Sequence, residues 1–212
     1  MSQIKVAVVP VTPFQQNCTI LVCEATGKAA VVDPGGDVPL IRRAIEQTDA
    51  SVEKILLTHG HADHAGGAAD LRDALGVPIE GPHLGDKFLL DNLETAAKMF
   101  GFPCRDVAPD RWLDEGDQVS FGAIRLDVRH CPGHTPGSVV FINQPMQFCL
   151  VGDVLFQNSI GRADLPGGDY ATLMRSIEQK LLTLDDGMTF ISGHGPMSTI
   201  GAEKKNNPFL QK

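Results

Sequence analysis

Four side chains that can bind metal ions lie close together in one short stretch of the chain. Residues 58–64 read Thr-His-Gly-His-Ala-Asp-His, which places His59, His61, Asp63 and His64 at the spacing His-x-His-x-Asp-His. On an extended backbone, residues i and i+2 point to the same side, so His59 and His61 can bind one ion. Asp63 and His64 fall where we expect the chain to turn into a helix, so they can face a second ion. Four such residues at this spacing seldom occur by chance, and we interpret the stretch as a metal site.

The elements on either side of this motif place it at the end of a strand. The run Ile-Leu-Leu at 55–57 is typical of a buried strand, and the small residues of 65–71 indicate the start of a helix. Sites of α/β proteins lie in the loops at the carboxyl ends of strands. The pattern of a strand followed by a glycine-flanked loop recurs at His134, Asp153 and His194. Loops of this kind that meet at one edge of a sheet predict a metal site there.

The predicted ligands comprise two sets of three side chains and one carboxylate that can bridge them. The sets are His59, His61 and His134 for the first ion and Asp63, His64 and His194 for the second, with Asp153 between them. Such a donor set leaves a coordination position for water, which is typical of catalytic and not of structural metal sites. A water bound there has its pKa lowered from about 15.7 to about 7, and one ion can stabilise an oxyanion. The residues therefore predict metal-assisted hydrolysis, with Asp63 and Asp153 as the catalytic carboxylates.

The types of donor narrow the choice of metal without fixing it. All predicted ligands offer nitrogen or oxygen, so one or two divalent ions of zinc, iron or manganese fit, and we place zinc first. Cys131 lies three residues before His134, but a buried free thiol is the commoner fate of such a cysteine. His83 and His130 are expected to be structural. Asp33, at the end of a predicted strand, either supports the ligands or caps a glycine-rich turn.

Composition excludes several classes of protein. With 212 residues, of which 42% are hydrophobic and 21% charged, the chain can form one globular domain over residues 1–212. A formal net charge of -8 argues against a nucleic-acid partner. The sequence has no apolar run of about 20 residues and no signal peptide at its start, so we expect neither a membrane partner nor export. Five cysteines without a C-x-x-C pair suit reduced thiols. We therefore expect a cytoplasmic monomer.

Hydrophobic periodicity predicts an alternation of strands and helices. Strands are predicted at residues 4–10, 18–23, 29–33, 52–57, 77–79, 119–121, 124–129, 138–142, 148–151 and 188–191. Helices are predicted at residues 39–47, 65–75, 89–100, 170–184 and 200–206. Asp37 is expected to cap the first helix, and Leu173, Ile177 and Leu181 form the apolar stripe of the fourth.

Four motifs together resemble the metallo-β-lactamase superfamily over essentially the whole chain. They are T-H-G-H-A-D-H at 58–64, C-P-G-H-T-P-G at 131–137, V-G-D at 151–153 and S-G-H-G at 192–195. The resemblance implies an α/β fold, the αββα sandwich of two mixed β-sheets flanked by helices, with a dinuclear site at one edge. It also implies the ligand sets given above.

Within this superfamily the chain resembles the type II glyoxalases, or hydroxyacylglutathione hydrolases, in a short form without the C-terminal helical domain. Asp153 stands where the zinc β-lactamases carry cysteine, and the turn at 161–164 and the ending at 203–209 resemble short bacterial members. The resemblance implies hydrolysis of S-lactoylglutathione by metal-bound hydroxide, as in methylglyoxal detoxification. Arg162 could bind a glutathione carboxylate or pair with Asp164. The larger enzymes carry Lys-x-Tyr at these two positions, and a tyrosine where Pro196 stands here.

Two other functions are compatible with these motifs. A mononuclear iron persulfide dioxygenase would use His59, His134 and Asp153 alone, and it would consume oxygen. A metal-binding module without catalysis is a further alternative, although an open site lined by four loops is an unusual feature for a scaffold. The acidic balance argues against a nuclease of the same superfamily, and the absence of a signal peptide argues against an exported β-lactamase.

Overall fold

The first of two β-sheets is formed by the N-terminal half of the chain. The computed structural model describes residues 3–211, apart from the side chain of Phe100. The strands of this sheet are β1 (Ile4–Val11), β2 (Gln16–Cys23), β3 (Lys28–Val32), β4 (Ser51–Leu56) and β5 (Ile79–Glu80), in that spatial order. The first three strands pair antiparallel, whereas β3, β4 and β5 run parallel, so the sheet is mixed.

The second sheet is formed by the C-terminal half. Its strands are β6 (Gln118–Phe121), β7 (Ile124–His130), β8 (Val139–Asn143), β9 (Phe148–Gly152), β12 (Thr189–Ser192) and β13 (Ser198–Thr199), in the spatial order β13-β12-β9-β8-β7-β6. Only the pair β9–β12 is parallel, so the carboxyl ends of these two strands lie side by side. A separate small hairpin joins β10 (Leu155–Phe156) to β11 (Ser159–Ile160).

Helices cover the outer faces of both sheets. They are α1 (Val38–Glu46), α2 (Ala62–Ala65), α3 (Ala68–Leu75), α4 (Lys87–Leu90), α5 (Leu93–Phe100), α6 (Tyr170–Ser176) and α7 (Ile200–Asn206). A 3-10 turn at Leu84–Asp86 precedes α4, and a π-helical turn at Ile177–Leu181 continues α6.

Three hydrophobic layers hold the sandwich together. The middle layer packs the two sheets against each other, for example through Leu21 and Leu56 of the first and Phe141 and Leu126 of the second. One outer layer packs α1 to α5 on the first sheet, and the other packs α6, the π-helical turn and α7 on the second. Burial of apolar surface on both faces of each sheet requires this order of layers, which confirms the predicted αββα sandwich.

Two predicted helices are each broken into two. The helix predicted at 65–75 is interrupted at Gly66 and Gly67, where the backbone N–H of Gly67 donates to the carbonyl of Pro34. A Cβ at Gly66 would lie 2.5 Å from the carbonyl oxygen of Ala62 and 2.3 Å from the Cys104 sulfur, so the close packing requires glycine. The helix predicted at 89–100 likewise divides into α4 and α5.

Other differences are local. Asp37 is the N-cap residue of α1, as predicted, but its carboxylate accepts the backbone N–H of Thr12 at 2.8 Å instead of a helical N–H. The stripe Leu173, Ile177 and Leu181 is fully buried as predicted, although the second half of that helix is a π-helical turn. Strands β10, β11 and β13 were not predicted, because two-residue strands carry almost no periodicity. Among the described residues, no helix is long and apolar enough to cross a membrane.

Candidate metal centre

The loops at one edge of the sandwich bring the seven predicted ligands together. His59, His61, Asp63 and His64 follow β4 of the first sheet. The other three come from the second sheet, with His134 between β7 and β8, Asp153 after β9 and His194 after β12. Because β9 and β12 are parallel neighbours, their ends carry Asp153 and His194 to the same place.

Three imidazoles face one another in the first set. The Nε2 of His59 lies 3.1 Å from the Nδ1 of His61, which lies 3.0 Å from the Nε2 of His134. The Nδ1–H of His134 donates to the carbonyl of Arg162 at 2.8 Å, and Nδ1 of His59 lies 3.1 Å from the hydroxyl of Thr58. Because Nδ1 of His134 carries the proton, its Nε2 keeps a free lone pair, and a nitrogen with a free lone pair can bind a metal.

The second set has the same organisation. Asp63 Oδ2 lies 3.1 Å from His194 Nε2 and 3.8 Å from His64 Nε2, and the two histidine nitrogens are 3.4 Å apart. The outer nitrogen of His64 lies 2.9 Å from a carboxylate oxygen of Asp33, and that of His194 donates to the carbonyl of Phe14 at 3.2 Å.

Of the two roles predicted for Asp33, support of the ligands and capping of a glycine-rich turn, its side chain has the first. Its carboxylate accepts the backbone N–H of Thr58 at 2.7 Å and the Thr58 hydroxyl at 2.5 Å, in addition to its contact with His64. It is 3% exposed. A buried carboxylate behind a ligand histidine fixes the ring orientation and raises its basicity.

Asp153 lies between the two sets. Its Oδ1 is 3.3 Å from Nε2 of His64, and its Oδ2 is 3.7 Å from Nε2 of His134 and 3.6 Å from that of His194. The Oδ1 atom is buried and accepts no hydrogen bond from any residue that the structure describes. A buried carboxylate oxygen without a partner is costly, and a cation between the sets would satisfy it. The donors therefore fit a divalent metal centre.

Electrostatics keep most of these side chains in metal-binding form. Burial lowers the pKa of His61 to about 3 and that of His59 well below its usual range, so both rings are neutral. Burial alone would raise the pKa of Asp63 and Asp153, but the nearby histidines, His64 first among them, together lower both. The same carboxylates raise the pKa of His64 and His194, so these two rings must lose a proton when a metal binds. Neutral imidazoles and ionised carboxylates are the states that metal binding requires.

A carboxylate that no motif indicated joins two of the ligand loops. Asp86, in the 3-10 turn before α4, is fully buried. Its Oδ2 accepts the backbone N–H of Gly60 and the hydroxyl of Thr135, both at 2.8 Å, and its Oδ1 accepts the N–H of Gly137 at 2.6 Å. Gly60 lies between two predicted ligands, and Gly137 follows His134 by three residues, so Asp86 fixes one loop against the other.

Close backbone approaches also position the ligands. A Cβ at Gly35 would lie 1.5 Å from the carbonyl oxygen of Asp63, and one at Gly193 would lie 2.1 Å from Oδ1 of Asp153. Real Cβ atoms never approach other atoms so closely, so only glycine allows these loops to pack at this distance.

The remaining histidines and the nearby cysteine lie outside the cluster. The rings of His83 and His130 stack on each other with centroids 3.9 Å apart, and the His130 ring donates to the carbonyl of Pro136. Cys131 is fully buried against the second sheet, and burial raises the pKa of its thiol to about 12. Neither histidine and no cysteine belongs to a metal-compatible group among the described residues.

A cavity of about 810 Å³ opens above the cluster. His61, Asp63, His134, Asp153 and His194 form its floor. Its walls are mostly apolar and include residues of α4, α5 and the loop after β11. Arg162 also lines it, and its guanidinium binds both carboxylate oxygens of Asp164 at 2.9 Å. Contact between Arg162 and a substrate stays a prediction.

Comparison with known proteins identifies the family. A model described as the metallo-beta-lactamase superfamily matches residues 11–194. The chain belongs to the metallo-β-lactamase superfamily. It is 45% identical to hydroxyacylglutathione hydrolase GloC of Haemophilus influenzae, over 97% of each chain. This family and this relative make the chain a metal-dependent hydrolase.

Two solved structures are similar over nearly the whole chain. The B3 metallo-beta-lactamase BLEG-1 superposes with a TM-score of 0.90 and 36% identity, over 98% of this chain and 100% of that one. TTHA1623 in a di-iron-bound form superposes with a TM-score of 0.88 and 35% identity, over 96% of this chain and 100% of that one.

Proposed function

We propose that the protein hydrolyses acylglutathione thioesters, such as S-lactoylglutathione, to glutathione and a free hydroxy acid. The observation that carries this proposal is the pair of facing donor sets that share Asp153 at the floor of an open cavity. The name of the H. influenzae relative, hydroxyacylglutathione hydrolase, supports the choice of substrate.

The seven side chains are proposed to hold one or two divalent ions, with zinc first and iron or manganese as alternatives. Their nitrogen and oxygen donors suit all three metals. The di-iron form of TTHA1623, a protein 35% identical, supports a two-ion site. When bound, such ions lower the pKa of a coordinated water and polarise the carbonyl under attack.

Asp63 and Asp153 are proposed to handle the attacking water. Both carboxylates line the cavity floor, and the nearby charge of His64 favours their ionised form. They can accept hydrogen bonds from a water and orient its oxygen toward the acyl carbon. As the new C–O bond forms, the C–S bond breaks, the sulfur leaves with the electron pair, and the proton lost by water passes through Asp63 to the thiolate.

The cavity and Arg162 are proposed to bind the substrate. A volume of about 810 Å³ falls within the range of small-molecule sites. The Arg162 side chain uses two N–H groups for Asp164, and its remaining donors are available to a glutathione carboxylate at the rim. We further propose, from composition alone, that the protein is a single-domain cytoplasmic monomer.

A paired assay on freshly purified protein tests the reaction. S-lactoylglutathione hydrolysis and oxygen uptake with glutathione persulfide are measured together with metal content per chain. We expect hydrolysis without oxygen uptake, because the second donor set is as fully assembled as the first. Oxygen uptake with one iron per chain would instead establish the persulfide dioxygenase.

Hydrolysis of a chromogenic cephalosporin belongs in the same experiment, since BLEG-1 is named a B3 metallo-beta-lactamase. We expect the thioester to be the better substrate by kcat/KM. A clear preference for the β-lactam would refute the proposed substrate class while leaving the hydrolytic centre in place.

A further inference from the structure

The walls of the cavity above the cluster of predicted ligands are poor in charge. Large apolar side chains from three segments line them: Phe14 from the β1–β2 turn, Phe88, Leu89 and Leu93 from α4 and α5, and Phe156 and Leu165 from the β10–Pro166 region. Apart from the histidines of the floor, Arg162 is the only basic side chain among the described residues that line it. The chemistry of the walls therefore favours an uncharged, apolar group.

Arg162 itself adds little net positive charge to the cavity. Its guanidinium binds Asp164 through two parallel hydrogen bonds of 2.9 Å, and the two side chains are 67% and 70% exposed. The pair is neutral as a whole, and water screens whatever field remains at such an exposed position. The side-chain amide of Asn92, a polar wall residue, donates to the carbonyl of Phe88 at 2.8 Å.

The net charge of the whole chain also gives no advantage to a negatively charged thiol carrier. Its formal net charge is -8, whereas the glutathione part of a thioester carries two carboxylates and one ammonium group. A negative protein does not attract a negative substrate by long-range steering. Arg162 is thus the one basic wall residue that could contact a glutathione carboxylate, and its pairing with Asp164 and its exposure to water make that contact weak.

We propose that the site recognises its substrate mainly through the thioester and apolar contacts, with only a weak contribution from Arg162, and that it also hydrolyses thioesters of uncharged thiols. This inference rests on the proposed thioester hydrolysis and widens its range of thiol carriers. For any carrier, water supplies the oxygen that bonds to the acyl carbon, the C–S bond breaks, and the products are the carboxylic acid and the free thiol.

The test compares two substrates with the same acyl group on purified, metal-loaded protein. One is S-lactoylglutathione, and the other is S-lactoyl-N-acetylcysteamine, whose thiol carries no charge. We expect their kcat/KM values to agree within about tenfold, and the KM for the glutathione thioester to change little with ionic strength. A preference for glutathione above about tenfold, which is about 1.4 kcal/mol, overturns the proposal.

Binding without turnover gives an independent readout. The thioethers S-hexylglutathione and S-hexyl-N-acetylcysteamine cannot be hydrolysed, and calorimetry measures their affinity. We expect similar dissociation constants and a negative heat-capacity change, which is the mark of apolar burial. Binding of the glutathione thioether alone would contradict the inference.

A variant of the apolar wall tests which surface makes the contact. Phe88 is 42% exposed and lines the cavity, whereas Met99 of α5 is 81% exposed and does not. We expect Phe88→Ala to raise KM for both substrates by a similar factor, about three- to tenfold, and Met99→Ala to change neither. An effect of Phe88→Ala on one substrate only would refute apolar recognition shared by both.

The assays distinguish failure of the proposed thioester hydrolysis from failure of the inference about uncharged thiols. If neither thioester is hydrolysed, the proposed thioester hydrolysis fails, and the inference about carriers fails with it. If S-lactoylglutathione is hydrolysed and the uncharged thioester is not, the proposed function stands and only the inference is overturned.

Discussion

Removal of the Asp86 carboxylate should weaken the fold and the metal centre together. In Asp86→Ala, the buried N–H groups of Gly60 and Gly137 both lose their acceptor. Each unsatisfied buried N–H costs about 1–3 kcal/mol, so we expect a loss of about 2–6 kcal/mol in the free energy of unfolding. In Asp86→Asn, the single amide oxygen can accept only one of the two, which predicts a loss of about 1–3 kcal/mol.

The effect on the metal centre follows from which loops Asp86 joins. Loosening Gly60 lets the rings of His59 and His61 move relative to His134. Loss of a partner behind the ligands typically lowers metal affinity about 10- to 100-fold, and we expect this range for both variants. Urea unfolding measures stability, and competition with a chelator measures metal affinity.

The control is Asp91→Asn. Asp91 is a carboxylate near Asp86 in sequence, but it lies on the surface and, among the described residues, its side chain pairs with Lys87 alone. Surface pairs at this spacing contribute about 0.3–0.5 kcal/mol, so this variant should keep both its stability and its metal affinity. If Asp86→Ala behaves like Asp91→Asn in both measurements, the assignment of Asp86 as the link between the two loops is refuted.

The pH dependence of stability gives a further check on Asp86. Burial raises the pKa of this carboxyl from 3.8 to about 6 despite its hydrogen bonds. Because folding raises the pKa, the titration of Asp86 stabilises the fold below pH of about 4, and this contribution is lost as the pH rises through about 6. Asp86→Asn lacks this titration. The stability difference between the metal-free wild type and Asp86→Asn should therefore shrink over this window, and a constant difference would contradict the raised pKa.

Three other predictions concern the site. Asp153→Asn and His59→Ala should abolish hydrolysis and lower metal content in a protein that still folds by circular dichroism; an active, metal-free variant would sink the site assignment. Gly193→Ala should reduce metal content because its Cβ would lie 2.1 Å from Oδ1 of Asp153. In the control Gly195→Ala the new Cβ meets no atom within 4 Å, so we expect only a loss of about 1 kcal/mol in stability from the positive φ of that residue. Arg162→Gln should raise KM for acylglutathione more than it lowers kcat, and an unchanged KM would limit Arg162 to its pair with Asp164.

The elements that carry the predicted ligands were predictable because their signals are local. Buried strands read as short hydrophobic runs, and each ligand loop follows such a run or a hairpin strand with glycine beside the ligand residue. The hairpin of β6 and β7 and the helix α7 were predicted to within a residue or two for the same reason.

What could not be predicted depends on contacts between distant segments. Asp86 has no motif, since its three partners lie 26 to 51 residues away in sequence. The break of the helix at Gly66 reflects packing against Cys104, and the Asp37 side chain bonds the N–H of Thr12 instead of a helical N–H. A polar side chain such as that of Asp37 can bond either its own helix or a distant segment, and only the assembled tertiary structure decides between the two partners.

Because the ligands come from both sheets, metal binding should affect the stability of the fold as well as catalysis. The first sheet contributes four of the seven side chains and the second contributes three, so neither of the two proposed ligand sets comes from one sheet alone. Ions bound at this edge would join the two halves of the sandwich as a cross-link does, and they bind the folded state far better than the unfolded chain. The resistance of the protein to unfolding should therefore rise with free metal concentration, so that the supply of metal in the cell sets the lifetime of the fold as well as its activity.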